Sequence, residues 1–174
     1  MAGVAIPYEG EYYREEMCIN IQQLLKGRKF KYKIVLRADK KRMYPISPKI
    51  YLYTLNGVSI NEKLVKEGMA FFDLGYFNGS RHFYNLQEKA RKNKLGMWGL
   101  DNPPQVKYVG KWEWRFYHYP ECPEVKDLKD DEKINFFFHP LKIPGARIWA
   151  YQCSYCAPLF KEREGLEIDK IYPS

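Results

Sequence analysis

Gly57–Trp98 reads GVSINEKLVKEGMAFFDLGYFNGSRHFYNLQEKARKNKLGMW and contains two helices whose ends can be read from residue chemistry. Asn61 is placed to cap the first by accepting a bond from a free backbone N–H. Leu64 and Val65 turn inward, and Gly68 supplies a left-handed stop. After the apolar Met69, Phe71 and Phe72 comes a loop around Asn78 and Gly79. Ser80 then caps a second helix carrying Phe83, Leu86, Ala90 and Arg91 and closing at Gly96. Leu95, Met97 and Trp98 tack its end to a core.

Upstream, Glu11–Lys26 (EYYREEMCINIQQLLK) sets Tyr13, Met17, Ile21, Leu24 and Leu25 on one helical face, with Gly27 as its stop. Cys18 lies inside it with no His or Asp nearby in sequence, and reads as a small core residue rather than a nucleophile. Phe30–Leu36 (FKYKIVL) alternates apolar and basic residues as a half-buried strand does, so that Lys29, Lys31 and Lys33 project together. Residues 37–49, RADKKRMYPISPK, form a basic hairpin loop with two prolines. Ile50–Leu55 is a strand, and Asn56-Gly57 a hairpin turn before a further strand, Val58–Ile60.

The order of Asn61, Leu64, Val65, Gly68, Ala90, Gly96 and Trp98 resembles the C-terminal half of staphylococcal-nuclease-like (thermonuclease) domains. The resemblance covers residues 1–102 and implies an α+β fold: a partial OB-type β-barrel with three helices. It places the family's metal-binding Asp at Ala5 and its general-base Glu at Tyr8, with Glu9 one residue out of register. Ca²⁺ takes about six to eight oxygen ligands, so the resemblance implies too few hard donors for that ion. It also puts the family's earlier strands, with a second metal-binding Asp and an arginine, ahead of the first residue, so an open barrel edge is expected. In the loop, Asp39 and Lys40 fit the family's start, Arg42 is the nearest arginine, and counting back from the next strand puts Ser47 at the arginine position. Lys40, Lys41 and Arg42 are thus the candidate nucleic-acid contacts; the plainer alternative is a solvated basic turn.

The 174 residues have room for one domain with a normal core and a smaller second one. Hydrophobic content of 45% with frequent charges describes a globular protein without repeats or low-complexity runs. No segment has the length and apolarity of a membrane span, and the N-terminus does not read as a signal peptide. A net charge of +8 suits either nucleic acid or acidic protein neighbours, and 17% aromatic residues suit surfaces that bury against partners as well as base stacking.

Asp101–Gln105 carries consecutive prolines and reads as a linker. Beyond it, Trp112, Trp114 and Phe116 alternate with Glu113, Arg115 and Tyr117 as in a strand with one wet and one buried face. The clearest chemistry follows: His118-x3-Cys122, then Cys153-x2-Cys156. Two short knuckles of nitrogen and thiolate donors can close a tetrahedral Zn²⁺ site. The alternatives are that His139 replaces His118, or that the thiols are merely buried neighbours.

This segment resembles the small metal-binding domain first known in the bacterial Ada DNA-repair protein, in YHYPEC, the INFFF strand and the final YQCSYC. The resemblance implies that His118, Cys122, Cys153 and Cys156 hold a structural Zn²⁺ in a small zinc-binding domain. The residue that accepts a methyl group in Ada is a cysteine; His118 stands there, so that activity is not implied. Pro140, Pro144 and Gly145 interrupt the helix that usually precedes the last Cys-x2-Cys.

The expected organisation is therefore residues 1–102 nuclease-like, 103–159 metal-binding and 160–174 a tail. The expected function is a catalytically inactive, nuclease-like structural or binding subunit of a larger assembly, with other protein subunits covering the open barrel edge. Two other readings stay open: a nucleic-acid-binding module, and an active metal-dependent nuclease completed by a partner chain. Free thiols and a thiolate site imply a reducing interior such as the mitochondrial matrix, plastid stroma, cytoplasm or nucleus.

Overall fold

The computed structural model describes residues 1–6, 13–35, 49–73, 80–112, 116–137, 151–153 and 155–156, which fall in two units, Met1–Pro104 and Gln105–Ser174. The first runs β1 (Val4–Ala5), α1 (Arg14–Leu25), β2 (Phe30–Val35), β3 (Lys49–Thr54), α2 (Ile60–Lys66), β4 (Phe71–Phe72), α3 (Ser80–Lys92) and a 3-10 turn at Gly96–Gly99. β2 pairs antiparallel with β3, Phe30 opposite Thr54 and Val35 opposite Lys49. β1 pairs antiparallel with β4, Val4 opposite Phe72. The unit is α+β, with three helices against small sheets.

Helix α2 starts at Ile60 because Ser59, extended at ψ 116°, accepts from the Glu62 amide at 3.2 Å. Ser59-x-x-Glu62 has the spacing of a capping box. Asn61, expected as the cap, is instead a fully buried residue within the helix. Its Oδ1 accepts from the Leu52 amide at 2.8 Å, while its Nδ2 donates to the Ala2 carbonyl at 2.8 Å and the Ile50 carbonyl at 3.1 Å. A hydroxyl two residues earlier takes the capping role, and the amide, both donor and acceptor, joins the helix to β3 and to the first residues. The expected strand Val58–Ile60 shrinks to one bridge, Tyr53 with Ser59, since the helix claims Ile60.

Gly68 ends α2 at φ 68°, as expected, and meets Gly96 at φ 53°. The two backbones cross so closely that a Cβ on Gly68 would strike the Leu95 carbonyl and lie 2.9 Å from Trp98 Cδ1. A Cβ on Gly96 would strike the Gly68 carbonyl, which itself accepts from the Met97 amide at 3.0 Å. This contact presses Met97 and Trp98 into the core, where Trp98 meets Phe71 edge-on at 5.5 Å.

On α3 the buried stripe is Phe83, Tyr84, Gln87 and Ala90. Leu86 is only half-buried, and Arg91 pairs with Glu88 at 2.6 Å at the half-exposed edge. Gln87 was legible only as a polar residue, yet its Oε1 accepts from the Phe72 amide at 2.9 Å and so fixes β4 to α3. On α1, Tyr13, Met17 and Ile21 are buried, while Cys18, Leu24 and Leu25 are half-buried. Leu36, the 37–48 loop, and Asn78 with Gly79 lie outside the described residues.

Replacing Asn61 with Ala leaves buried backbone groups without partners and is expected to lower the unfolding free energy of the first unit by about 2–3 kcal/mol. Gly68→Ala combines a left-handed backbone with a clash and should cost about 2–4 kcal/mol. Gly57→Ala, at φ 85° with nothing within 4 Å, should cost only about 1 kcal/mol. Urea unfolding of the three variants checks the order; equal losses for Gly57 and Gly68 would contradict the crossing.

Candidate metal centre

The second unit contains β5 (Tyr108–Lys111), β6 (Phe116–His118), β7 (Lys133–Phe136) and β8 (Tyr151–Gln152), in the sheet order β7-β5-β6-β8. β5 and β6 are antiparallel, Val109 opposite His118 and Gly110 opposite Tyr117. The continuous strand expected through Trp112 and Phe116 is thus not formed: β5 ends at Lys111 and the antiparallel β6 starts at Phe116; residues 113–115 lie outside the described set. Aromatic alternation was a misleading signal, because Trp112 sits at the turn and bonds the Glu132 carbonyl through its amide at 3.3 Å. Tyr108 packs edge-on against Tyr117 at 5.7 Å and beside Tyr119 at 5.6 Å.

Strand pairing builds the cluster. β6 and β8 are parallel, Tyr117 opposite Gln152, so His118 ending β6 and Cys153 following β8 come level. The Cys153 amide bonds the Tyr117 carbonyl at 3.4 Å. After His118 the chain turns, the Cys122 amide donating to the Tyr119 carbonyl at 3.0 Å and the Val125 and Lys126 amides to the Cys122 carbonyl at 3.0 Å. The second knuckle closes through the Cys156 amide and the Cys153 carbonyl at 3.0 Å.

His118, Cys122, Cys153 and Cys156 are all buried, and their donor atoms lie within 4.8 Å of one another. His118 Nδ1 is 3.4 Å from Cys122 Sγ, and Cys122 Sγ is 3.9 Å from Cys153 Sγ. A tetrahedral ion with metal–sulfur and metal–nitrogen bonds of about 2.3 Å and 2.0–2.1 Å has ligand–ligand edges of about 3.6–3.8 Å. The 3.4 and 3.9 Å spacings bracket that figure and the remaining donors lie within 4.8 Å, so the cluster could hold a metal ion through His118 and three sulfurs.

Burial shapes the protonation of the donors. It pushes the Cys156 thiol up to about 12 and the Cys153 thiol up to about 11, the latter helped by a hydrogen bond to Glu124. It lowers the His118 pKa, against the opposing pull of Glu124. A neutral imidazole is ready to ligate, and a divalent cation supplies the charge that favours thiolates over buried thiols. Glu124 was not singled out in the sequence. Its Oε2 accepts from Cys153 Sγ at 3.2 Å and lies 3.6 Å from His118 Nδ1. Its position two residues past a candidate ligand is the signal that could have found it.

The other candidates fare differently. Ala5 is in β1, opposite Phe71. Tyr8, Glu9, Lys40, Lys41, Arg42, Ser47, His139, Pro140, Pro144, Gly145 and the tail all lie outside the described residues.

The family match falls on the first unit. The profile of the staphylococcal nuclease homologue family matches residues 11–99, just over half of the chain, and the chain belongs to that family. Among solved structures it is similar to the extended Tudor domain of Drosophila melanogaster Tudor-SN (p100), at 21% identity and a TM-score of 0.45, over 56% of this chain. The match spans 45% of that structure's length. No curated protein sequence matches the chain.

If the cluster holds a metal ion, a chelator or Cys153→Ser should loosen the second unit and leave the first folded, since local folding and metal binding are coupled. Hydrogen exchange should quicken at Val109, Gly110 and Tyr117 and stay unchanged in α2 and α3. Unchanged exchange in both units would contradict a metal-bearing role for the cluster.

Proposed function

We propose that this member of the nuclease family binds without cutting, serving as a subunit of a larger assembly whose second unit is stapled by a structural Zn²⁺. The observation that carries the reading is Ala5. At the place where the family resemblance puts a metal-binding Asp, a methyl group lies in β1 opposite Phe71. A methyl offers no oxygen to a cation. Phosphodiester hydrolysis needs a positioned base, a cation and stabilisation of developing charge together, so losing one impairs the whole. The same alignment puts Tyr8 where the general base belongs.

The second unit supports the non-catalytic reading. An ion held tetrahedrally by these three sulfurs and one imidazole would have no open position for water or substrate, which is the chemistry of a structural zinc site. Its His-x3-Cys and Cys-x2-Cys knuckles favour an Ada-type domain spanning residues 103–159, after a nuclease-like 1–102 and before a 160–174 tail. Thiolate ligation favours a reducing compartment. No helix among the described residues is long and apolar enough to cross a membrane. The exposed Tyr32 and Ile34 of β2 favour a protein partner. A second reading, nucleic-acid binding without cleavage, draws on the exposed Lys31 and Lys33 and the +8 charge.

Incubating the full chain with single-stranded DNA or RNA and Ca²⁺ should give no cleavage above background. Cleavage that disappears with Glu9→Gln or Arg42→Ala would overturn the reading. Elemental analysis of chain purified without chelator should find about one zinc per chain, the stoichiometry of a closed tetrahedral site; finding none would remove the zinc assignment.

A further inference from the structure

The hydrogen bonds of β3 reveal which way β2 faces. The Leu52 amide and the Ile50 carbonyl bond Asn61, and the Thr54 amide bonds the Val58 carbonyl, so these three residues direct their backbone groups away from β2. In an antiparallel pair, the residue opposite an outward-directed one is also outward-directed. Thr54, Leu52 and Ile50 are opposite Phe30, Tyr32 and Ile34. The N–H and C=O groups of Phe30, Tyr32 and Ile34 therefore line the outer edge of β2, while Lys31 and Lys33 bond inward to β3. Among the described residues no backbone partner takes that edge.

The side chains there are as informative. Tyr32 is 68% and Ile34 49% exposed, on one face, and the exposed Lys31 and Lys33 are on the other. A strand laid along this edge would bury apolar residues against Tyr32 and Ile34 and set every intervening residue beside a lysine. A second copy of β2 fits poorly: antiparallel pairing that keeps Tyr32 and Ile34 on one face puts Lys31 opposite Lys33, and like charges directly opposite repel. A phosphate backbone would meet the lysines but leave Ile34 and the peptide groups unmatched.

We propose that the outer edge of β2 accepts a strand from a partner protein whose residues alternate acidic and apolar. The inference rests on the reading of the chain as a binding subunit and names the chemistry of its partner. Edge lysines ordinarily block strand addition. Here they make it selective, because an acidic strand neutralises them and a neutral or basic one does not.

The test titrates the full chain with two capped synthetic peptides, one alternating Val and Glu, the other Val and Lys, with hydrogen exchange followed by NMR. The Val/Glu peptide should bind about tenfold more tightly, the combined effect of several cross-strand charge pairs. It should slow exchange at Phe30, Tyr32 and Ile34, whereas Lys31 and Lys33 should be slow already in the free chain. The double variant Lys31→Glu/Lys33→Glu should keep the melting temperature and reverse the preference. Equal affinity for both peptides, no binding, protection elsewhere, or oligonucleotide binding through the same lysines with no peptide binding would each overturn the proposal. Calcium-dependent cleavage of nucleic acid by a chain that still takes the Val/Glu peptide would overturn the non-cutting reading and leave the edge assignment standing.

Discussion

The first unit depends on one side-chain amide. Asn61 spends its acceptor on Leu52 and both donors on Ala2 and Ile50, satisfying backbone groups of two segments from within a helix. An unpaired peptide group buried away from water costs about 1–3 kcal/mol, so the helix can press against β3 only if something of this kind intervenes. The amide also terminates the sheet on that side. With Asn61 and the Ala2 amide both on Ile50 and Asn61 on Leu52, that side of β3 is occupied, and among the described residues the vacant edge is that of β2. The Gly68–Gly96 crossing then fixes the far end of the same helix, with Met97 and Trp98 driven into the core.

The second unit solves its stability problem differently. Its strands are two to four residues long, too short for a sheet of this size to hold much by pairing alone. The parallel contact of β6 with β8 involves two residue pairs, Phe116 with Tyr151 and Tyr117 with Gln152. An ion joining His118 and Cys122 to Cys153 and Cys156 would tie the two strands together at the C-terminal end of that contact. Burial of all four donors keeps the cluster from solvent and raises the cost of leaving the thiols ionised without a cation.

Much of this was legible in the sequence, for reasons that differ by residue. Gly68 and the His118, Cys122, Cys153, Cys156 spacing were readable because each reports a local requirement: a left-handed stop, and short knuckles of soft donors. Asn61 was misread because its role is long-range; nothing within a few residues says that its amide faces Ala2 and Ile50. Ser59-x-x-Glu62 was the local signal that should have claimed the cap. Gln87 was invisible for a similar reason, being a polar residue whose partner, Phe72, is distant in sequence, whereas Glu124 stood two residues past Cys122 and was overlooked. The strand read through Trp112 and Phe116 failed because aromatic alternation carries no information about a reversal within it.

On the non-cutting function proposed above, the family's frame persists here while its cation site does not. β1 and β4 bring Ala5 and Phe71 together, the Asp73 amide donates to the Gly3 carbonyl, and the methyl of Ala5 offers no oxygen to a cation. A Ca²⁺ titration followed residue by residue by NMR tests this most directly. No saturable shifts are expected at Gly3, Val4, Ala5 or Phe71–Asp73 at millimolar calcium. Saturable shifts confined to those residues would contradict that function and restore a cation to the nuclease frame.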